Sequence, residues 1–314
     1  MTTPGAGPED SKLVIAITGS SGMIGSALTR AFEARGHTVK RLVRRTVTGP
    51  ADILWQPTAR QVDPRVAAQL EGVDVVINMA GENLAQRWTS SARRRIVDSR
   101  IPGTLLLSRT LASLDRKPRL MISGSAMGIY GSRGDEVLDE SSTLGDGFLA
   151  AVCKDWEVAT SAASEAGIRV VTSRTTLVLD RHGGAFPQFL LQFRLWAGGR
   201  LGSGRQWTSW ITLRDVVGVF SFLIGAEGVS GPVNVVSPQP VTNAEFVRVL
   251  GRVLHRPALL PVPALALELV FGQMARDTVL ASQRVVSRKL GEYRFADPEL
   301  EGAVREVTAN TSPL

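Results

Sequence analysis

The chain has one cysteine, Cys153, in 314 residues, which excludes an intrachain disulfide and a cysteine-rich zinc site. In a segment of helical spacing it reads as a small apolar filler. Tyrosine is scarce as well: Tyr130 and Tyr293 are the only phenols on which acid–base chemistry could draw. Histidine is limited to His37, His182 and His255, and no spacing brings one of them together with acids as a metal site requires. No apolar stretch approaches the roughly 18 residues of a membrane span; VPALALELVF (262–271) is too short and carries Glu268. The opening MTTPGAGPEDSK lacks the apolar run of a signal peptide. These absences predict a soluble, cytoplasmic protein with no metal and no membrane partner.

Lysine is the minor base, five of 36 basic residues. The net charge of +7 comes from arginines that are scattered rather than striped with aromatics, which argues against a nucleic-acid partner. One local cluster, SARRRIVDSR (91–100), reads as a basic helix, either a solvated face or a neighbour of an anionic cofactor. With 44% hydrophobic residues the chain can bury a sizeable core, and its length suits one large α/β domain carrying a smaller subdomain.

What is present in quantity is glycine at informative places. KLVIAITGSSGMIGSALTRAFEARGHTVKRLVRR (12–45) starts with a short apolar run, as a strand buried on both faces requires. A glycine-rich turn, a helical pattern ended by Gly36 and a second strand, TVKRLV, complete a β-α-β unit. Gly19, Gly22 and Gly25 follow G-x-x-G-x-x-G spacing: the first for a tight turn, the second for close approach of a pyrophosphate, the third for helix–strand packing. The N–H groups around Met23 and Ile24 would then face the phosphates, aided by the helix dipole. At the end of the second strand stand Arg44 and Arg45, with no acid nearby. An acid there accepts from a ribose 2′-OH, whereas arginines suit a 2′-phosphate, so the pattern favours NADP(H) over NAD; the other reading is two surface arginines.

Further strands are expected in VDVVIN (73–78), RLMIS (119–123), IRVVTSRTTLVL (168–179) and PVNVVS (232–237), separated by helices, one of which runs through the arginine cluster to about Leu111. This alternation predicts an α/β fold with a Rossmann-type doubly wound parallel sheet. Ala80 and Gly81 should lie beside the adenosine end of a cofactor. Thr242 and Glu245 form a candidate capping box for a helix over VTNAEFVRVLGRVL, and one or two helices should follow the proline-rich turn at Pro257, Pro261 and Pro263.

ITGSSGMIGSAL, INMAGENLAQRW with DSRIPGT, SGSAMGIYG, GGRLGSGRQWTSWI, VNVVSPQPVTNAEF and ASQRV together resemble the extended short-chain dehydrogenase/reductase superfamily. More narrowly, the chain is similar to its atypical "epimerase family" branch, the NAD-dependent epimerase/dehydratase-like proteins with a short appended C-terminal domain. The cell-division-inhibitor label sometimes attached to that branch has no residue-level basis in this sequence. The resemblance implies a flexible N-terminus (1–11), an NADP-binding Rossmann domain (12–236) with a substrate-lobe insertion around 181–212, and a small, mainly helical appended domain (237–307). It adds Glu82 and Arg87 to the cofactor contacts and matches Ser125 to the catalytic serine at the end of the fifth strand. In the superfamily, serine polarises a carbonyl, a tyrosine hydroxyl moves the proton, and a lysine four residues later tunes that tyrosine and holds the ribose. Lys154 is present, but Ala150 stands where the tyrosine belongs. Departures from the branch also include Gln56, Thr176 and Thr212, the last where histidine is frequent.

Tyr130, five residues past Ser125, is the substitute acid the sequence offers, with ring packing as the other reading. In GSGRQWTSW, Arg205 could bind an anion while Trp207 and Trp210 wall an apolar ligand, unless the segment is a turn and the tryptophans core. The expectation is an NADP-dependent oxidoreductase or epimerase for a small carbonyl or alcohol of unknown identity, homo-oligomerisation being left open. The alternative is an NADP(H)-binding sensor or partner-binding protein without turnover.

Overall fold

The structure is a computed structural model that describes residues 12–309; the segment 1–11, expected to be flexible, lies outside the described residues. Seven parallel strands form the central sheet: β1 (Val14–Thr18), β2 (Thr38–Val43), β3 (Asp52–Leu54), β4 (Val75–Asn78), β5 (Leu120–Ala126), β6 (Arg169–Thr175) and β7 (Gly231–Val235). Their spatial order is β7-β6-β5-β4-β1-β2-β3. The chain builds outward in one direction from β1 and returns to build in the other from β4. That reversal opens a crevice beyond the C-terminal ends of β1 and β4, the place where ligands bind in open α/β sheets.

The helices on the sheet are α1 (Met23–Ala34), α2 (Pro64–Leu70), α3 (Ser90–Asp98), α4 (Ile101–Ala112), α5 (Phe148–Val158) and α6 (Ser161–Glu165). They are followed by α7 (Phe186–Arg194), α8 (Leu213–Gly225), α9 (Asn243–Val253), α10 (Ala264–Phe271), α11 (Gln273–Asp277) and α12 (Leu300–Ala309). Successive residues of a strand face opposite sides, and β1 divides accordingly. Ile15 and Ile17 join Leu28, Phe32, Val216 and Phe220 of α1 and α8, while Ala16 joins Leu70, Leu107 and Leu111 of α2 and α4 on the other face.

Three elements differ from expectation. The basic helix is two helices, because Pro102 at the start of α4 has no N–H to continue the ladder from α3. The strand expected over 168–179 ends at Thr175; Leu177–Leu179 then pairs with Trp210–Thr212 outside the main sheet. Among the described residues three helices, not one or two, follow the proline-rich turn. Thr242 does cap α9, its hydroxyl accepting from the Glu245 N–H at 3.2 Å.

The C-terminal segment is fastened to the sheet by a buried carboxylate. Asp215, near the start of α8, is fully buried. It accepts from the Tyr293 hydroxyl (2.9 Å), the Ala296 N–H (2.8 Å) and the Asp297 N–H (3.0 Å). Thr212 caps α8 and lies within bonding distance of both Asp215 and Asp297. Burial, reinforced by the charge of Asp215 and opposed by the Thr212 hydrogen bond, raises the Asp297 pKa. The folded protein therefore favours protonated Asp297, whose stability contribution is complete below the unfolded value and is lost as pH rises through the folded one. Thermal melts of Asp297→Asn should show a higher Tm than the parent at pH 7.5, with the gain vanishing near pH 3. Asp215→Ala, which strands several donors, should cost about 2–3 kcal/mol at neutral pH.

Candidate functional site

The crevice between β1 and β4 is shaped by missing side chains. Gly19 has φ +67°, and a Cβ on it would stand 2.7 Å from the Met79 carbonyl at the end of β4. A Cβ on Gly25 would lie 2.1 Å from the Gly19 oxygen, so α1 can begin directly on the turn only with glycine there. Gly22 is the N-cap of α1 and offers no side-chain cap. The N–H groups of Met23, Ile24 and Gly25 occupy the first turn, where a helix has no internal acceptors. A cradle of free N–H groups at the positive end of a helix dipole suits a pyrophosphate. From the far side, Gly183 and Gly184 pack against the Met23 side chain, bringing the loop after Leu177–Leu179 to the same turn.

Arg44 and Arg45 follow β2 immediately and are exposed. Ala80 is held to the end of β1, its N–H donating to the Thr18 hydroxyl at 3.3 Å, and Gly81 lies over the buried guanidinium of Arg100. Arg100 donates to the carbonyls of Ile96 and Glu82 and stacks on Trp156 with 5.1 Å to the ring centroid. Burial lowers its pKa, opposed by Cys153 and Glu82. Beneath the crevice, Thr18 donates to Asn78 (2.6 Å), and Thr104 accepts from Asn78 (2.7 Å) and from the Trp156 indole (2.9 Å).

Glu82 and Arg87 do not act together. Glu82 faces Arg95 at 3.6 Å, whereas Arg87 donates to the Leu269 and Val270 carbonyls of α10. Arg87 thus fastens the GENLAQR segment to the C-terminal helices.

At the end of β5 a second constellation forms. Arg174, on β6, forks onto Glu157 of α5, with Nε 2.8 Å from Oε1 and Nη2 2.9 Å from Oε2. Their side chains are 5% and 15% exposed. Burial would lower the Arg174 pKa, but the hydrogen bonds and charge of Glu157 outweigh it and push the value up. Ser125 donates to the same Glu157 Oε1 at 2.6 Å. The third nitrogen of Arg174 donates to the Tyr130 hydroxyl (2.9 Å), which donates to Asn234 Oδ1 (2.7 Å).

This corrects the reading of Tyr130 as substitute acid. The ring is 0% exposed, its proton is committed to Asn234, and burial, against the pull of Arg174, raises its pKa. Trp210 is corrected too: it is 0% exposed, lies in the core with Phe186 and Phe246, and donates its indole N–H to the Gln239 carbonyl. Trp207 remains half-buried, stacked under Arg284 and donating to Asp135; Arg205 is exposed beside it. Lys154 shares the exposed face of α5 with Ala151, Asp155 and Val158, and no hydrogen bond joins it to the Ser125 network among the described residues. Burial pushes the Cys153 thiol up to about 12, which fits a filler and not a reactive group.

Sequence reasoning singled out neither Glu157 nor Arg174, which lies within the strand expected over 168–179. A usable signal was there: an arginine inside a strand buried within the sheet demands a charge partner.

A parallel sheet of this order with a glycine turn at its switch point defines a Rossmann-type fold. The family model for the NAD dependent epimerase/dehydratase family matches residues 15–236, and the chain belongs to that family. A domain of unknown function, DUF1731, matches residues 262–307. An epimerase family protein of Mycobacterium tuberculosis is 44% identical over 283 residues, covering 90% of this chain and 92% of that one. The crystal structure of human epimerase family protein SDR39U1 with NADPH is similar at TM-score 0.86 and 32% identity, covering 95% of this chain and all of that one. A structure named as a nucleoside-diphosphate sugar epimerase from Corynebacterium glutamicum is 36% identical at TM-score 0.76, covering 95% of this chain and 58% of that one.

Arg174→Met should leave Glu157 buried without its cation and cost about 3–5 kcal/mol in denaturant unfolding. The double variant Arg174→Met/Glu157→Leu should recover part of that loss, because neither charge is then stranded.

Proposed function

We propose that this chain binds NADP(H) in the crevice between β1 and β4 and acts as an oxidoreductase or epimerase on a small carbonyl or alcohol substrate. The observation that carries the proposal is the glycine cradle ending at Gly25, faced across β2 by Arg44 and Arg45 with no acid at that strand's end. The cradle would hold the pyrophosphate, the two arginines the 2′-phosphate, and Ala80, Gly81 and the Glu82 backbone would border the adenosine half. When bound, the nicotinamide supplies hydride transfer. The protein's part is to keep Ser125 at the end of β5 and to keep the nearby tyrosine from exchanging protons. Of the three substrate candidates in GSGRQWTSW, Arg205 and Trp207 keep side chains open to a ligand and Trp210 does not. The NADPH in the human relative's structure supports the choice of dinucleotide.

A second reading, an NADP(H)-binding protein without turnover, is favoured by one observation: Ala150 has no proton to give, and Tyr130 is locked. Both readings require the cofactor. Calorimetric titration should show NADPH binding preferred over NADH, with Arg44→Ala weakening NADPH by about 10- to 100-fold, the loss of a charge-assisted phosphate contact, and leaving NADH unchanged. Equal affinities for the two dinucleotides, or no binding, would sink the proposal.

A further inference from the structure

The hydrogen bonds around Ser125 have a fixed direction, and that direction limits what the site can recognise. A guanidinium donates only and a carboxylate accepts only. With Glu157 accepting both arms of Arg174, the bond to Ser125 at 2.6 Å must be donated by the serine. On the other side, Arg174 donates to Tyr130, so the Tyr130 proton goes to Asn234. Asn234 is held with its oxygen toward Tyr130, because its amide nitrogen donates to the Val286 carbonyl at 2.8 Å. Each hydrogen bond along the row Ser125–Glu157–Arg174–Tyr130–Asn234 therefore has a fixed direction, and the two hydroxyl protons both have acceptors inside the protein.

Ser125 has a single hydroxyl proton and spends it inward. What it can present at the end of β5 is its oxygen lone pairs. A carbonyl oxygen placed there would meet an acceptor, not a donor, and the expected polarisation of a carbonyl by Ser125 does not fit this arrangement. We propose that Ser125 is the specificity-determining residue of the site and that it selects a ligand with a hydrogen-bond donor, a hydroxyl compound, over the matching carbonyl compound. Glu157 is the positioning residue that turns the serine, and Arg174 holds Glu157 in place. The inference rests on the NADP(H) reading of the crevice and deepens it by naming the substrate class that enters beside the cofactor.

The test uses the full chain loaded with NADP+ and a matched probe pair, cyclohexanol and cyclohexanone, with affinities read by saturation-transfer NMR. Cyclohexanol should bind about 5-fold or more tightly than cyclohexanone, the worth of one net hydrogen bond. Ser125→Ala should abolish the preference, and Ser125→Thr, which keeps the hydroxyl, should retain it. Glu157→Ala should lose or invert the preference by freeing the serine proton, and added formate should restore it by replacing the carboxylate, a rescue that a merely structural role for Glu157 does not predict. Equal binding of the two probes, tighter ketone binding, or a preference indifferent to Ser125→Ala overturns the inference; the serine variants decide it even where Glu157→Ala fails to fold. Failure to bind NADP+ would bring down the cofactor reading and this inference with it, and calorimetry on the same sample tells that outcome apart.

Discussion

The contact between Glu157 and Arg174 takes two charges largely out of water in the middle of an α/β sandwich. Desolvation of such a pair cancels most of its Coulombic gain, so the pair is weak evidence for stability and stronger evidence for position. Its partners are drawn from distant parts of the chain: Ser125 on β5, Glu157 on α5, Arg174 on β6, and through Tyr130, Asn234 on β7. The row continues beyond the sheet. Glu140 accepts from the Asn234 N–H, the Ser287 hydroxyl and the Arg288 N–H, which ties the C-terminal segment to the strand ends. Removing the arginine would strand the Glu157 carboxylate and take the donor from the Tyr130 oxygen, the two acceptors through which the row holds together.

The cofactor end of the crevice depends on a different constraint, steric and not electrostatic. There the backbone of Gly19 and Gly25 comes so close that no side chain fits between them, and the first turn of α1 is left with bare N–H groups. The two constraints meet through the buried row Thr18–Asn78–Thr104–Trp156, which runs from the end of β1 under the crevice to α5. Trp156 is the neighbour of Glu157 in sequence, so the helix that carries the carboxylate is itself anchored to the strands that carry the glycine turn. The two ends of the site are separate in chemistry but share a rigid floor.

Periodicity made the first β-α-β unit readable, since a run such as LVIAI buried on both faces and a glycine turn at its end have few other interpretations. The strand TVKRLV has the bounds of β2. Beyond that, sequence patterns report burial and not partnership. Asp52–Leu54 is three residues long and its apolar content does not stand out, yet it completes the sheet, pairing in parallel with Arg41–Val43 of β2, where Asp52 also meets the Arg41 guanidinium. Trp207 and Trp210 look alike in the sequence, but the three-residue offset puts one half in the open and the other in the core. The roles of Glu157 and Tyr130 were not legible for one reason: their partners lie 17 and 104 residues away, and nothing in local spacing reveals where a hydrogen bond goes.

The absent tyrosine has the same lesson at the level of chemistry. A tyrosine at position 150 would need space, and Ala150 is buried on the inner face of α5. The lysine that would serve that tyrosine sits instead on the solvent face of the helix, where it has no phenol to tune and no network to join. The hydroxyl of the usual pair is therefore absent at position 150, and Lys154 stands apart from the Ser125 network. The polar groups that do face one another near the end of β5 come from Ser125, Glu157 and Arg174, arranged so that the serine's proton is already spoken for. The serine oxygen, with its proton held by Glu157, is left with lone pairs to offer.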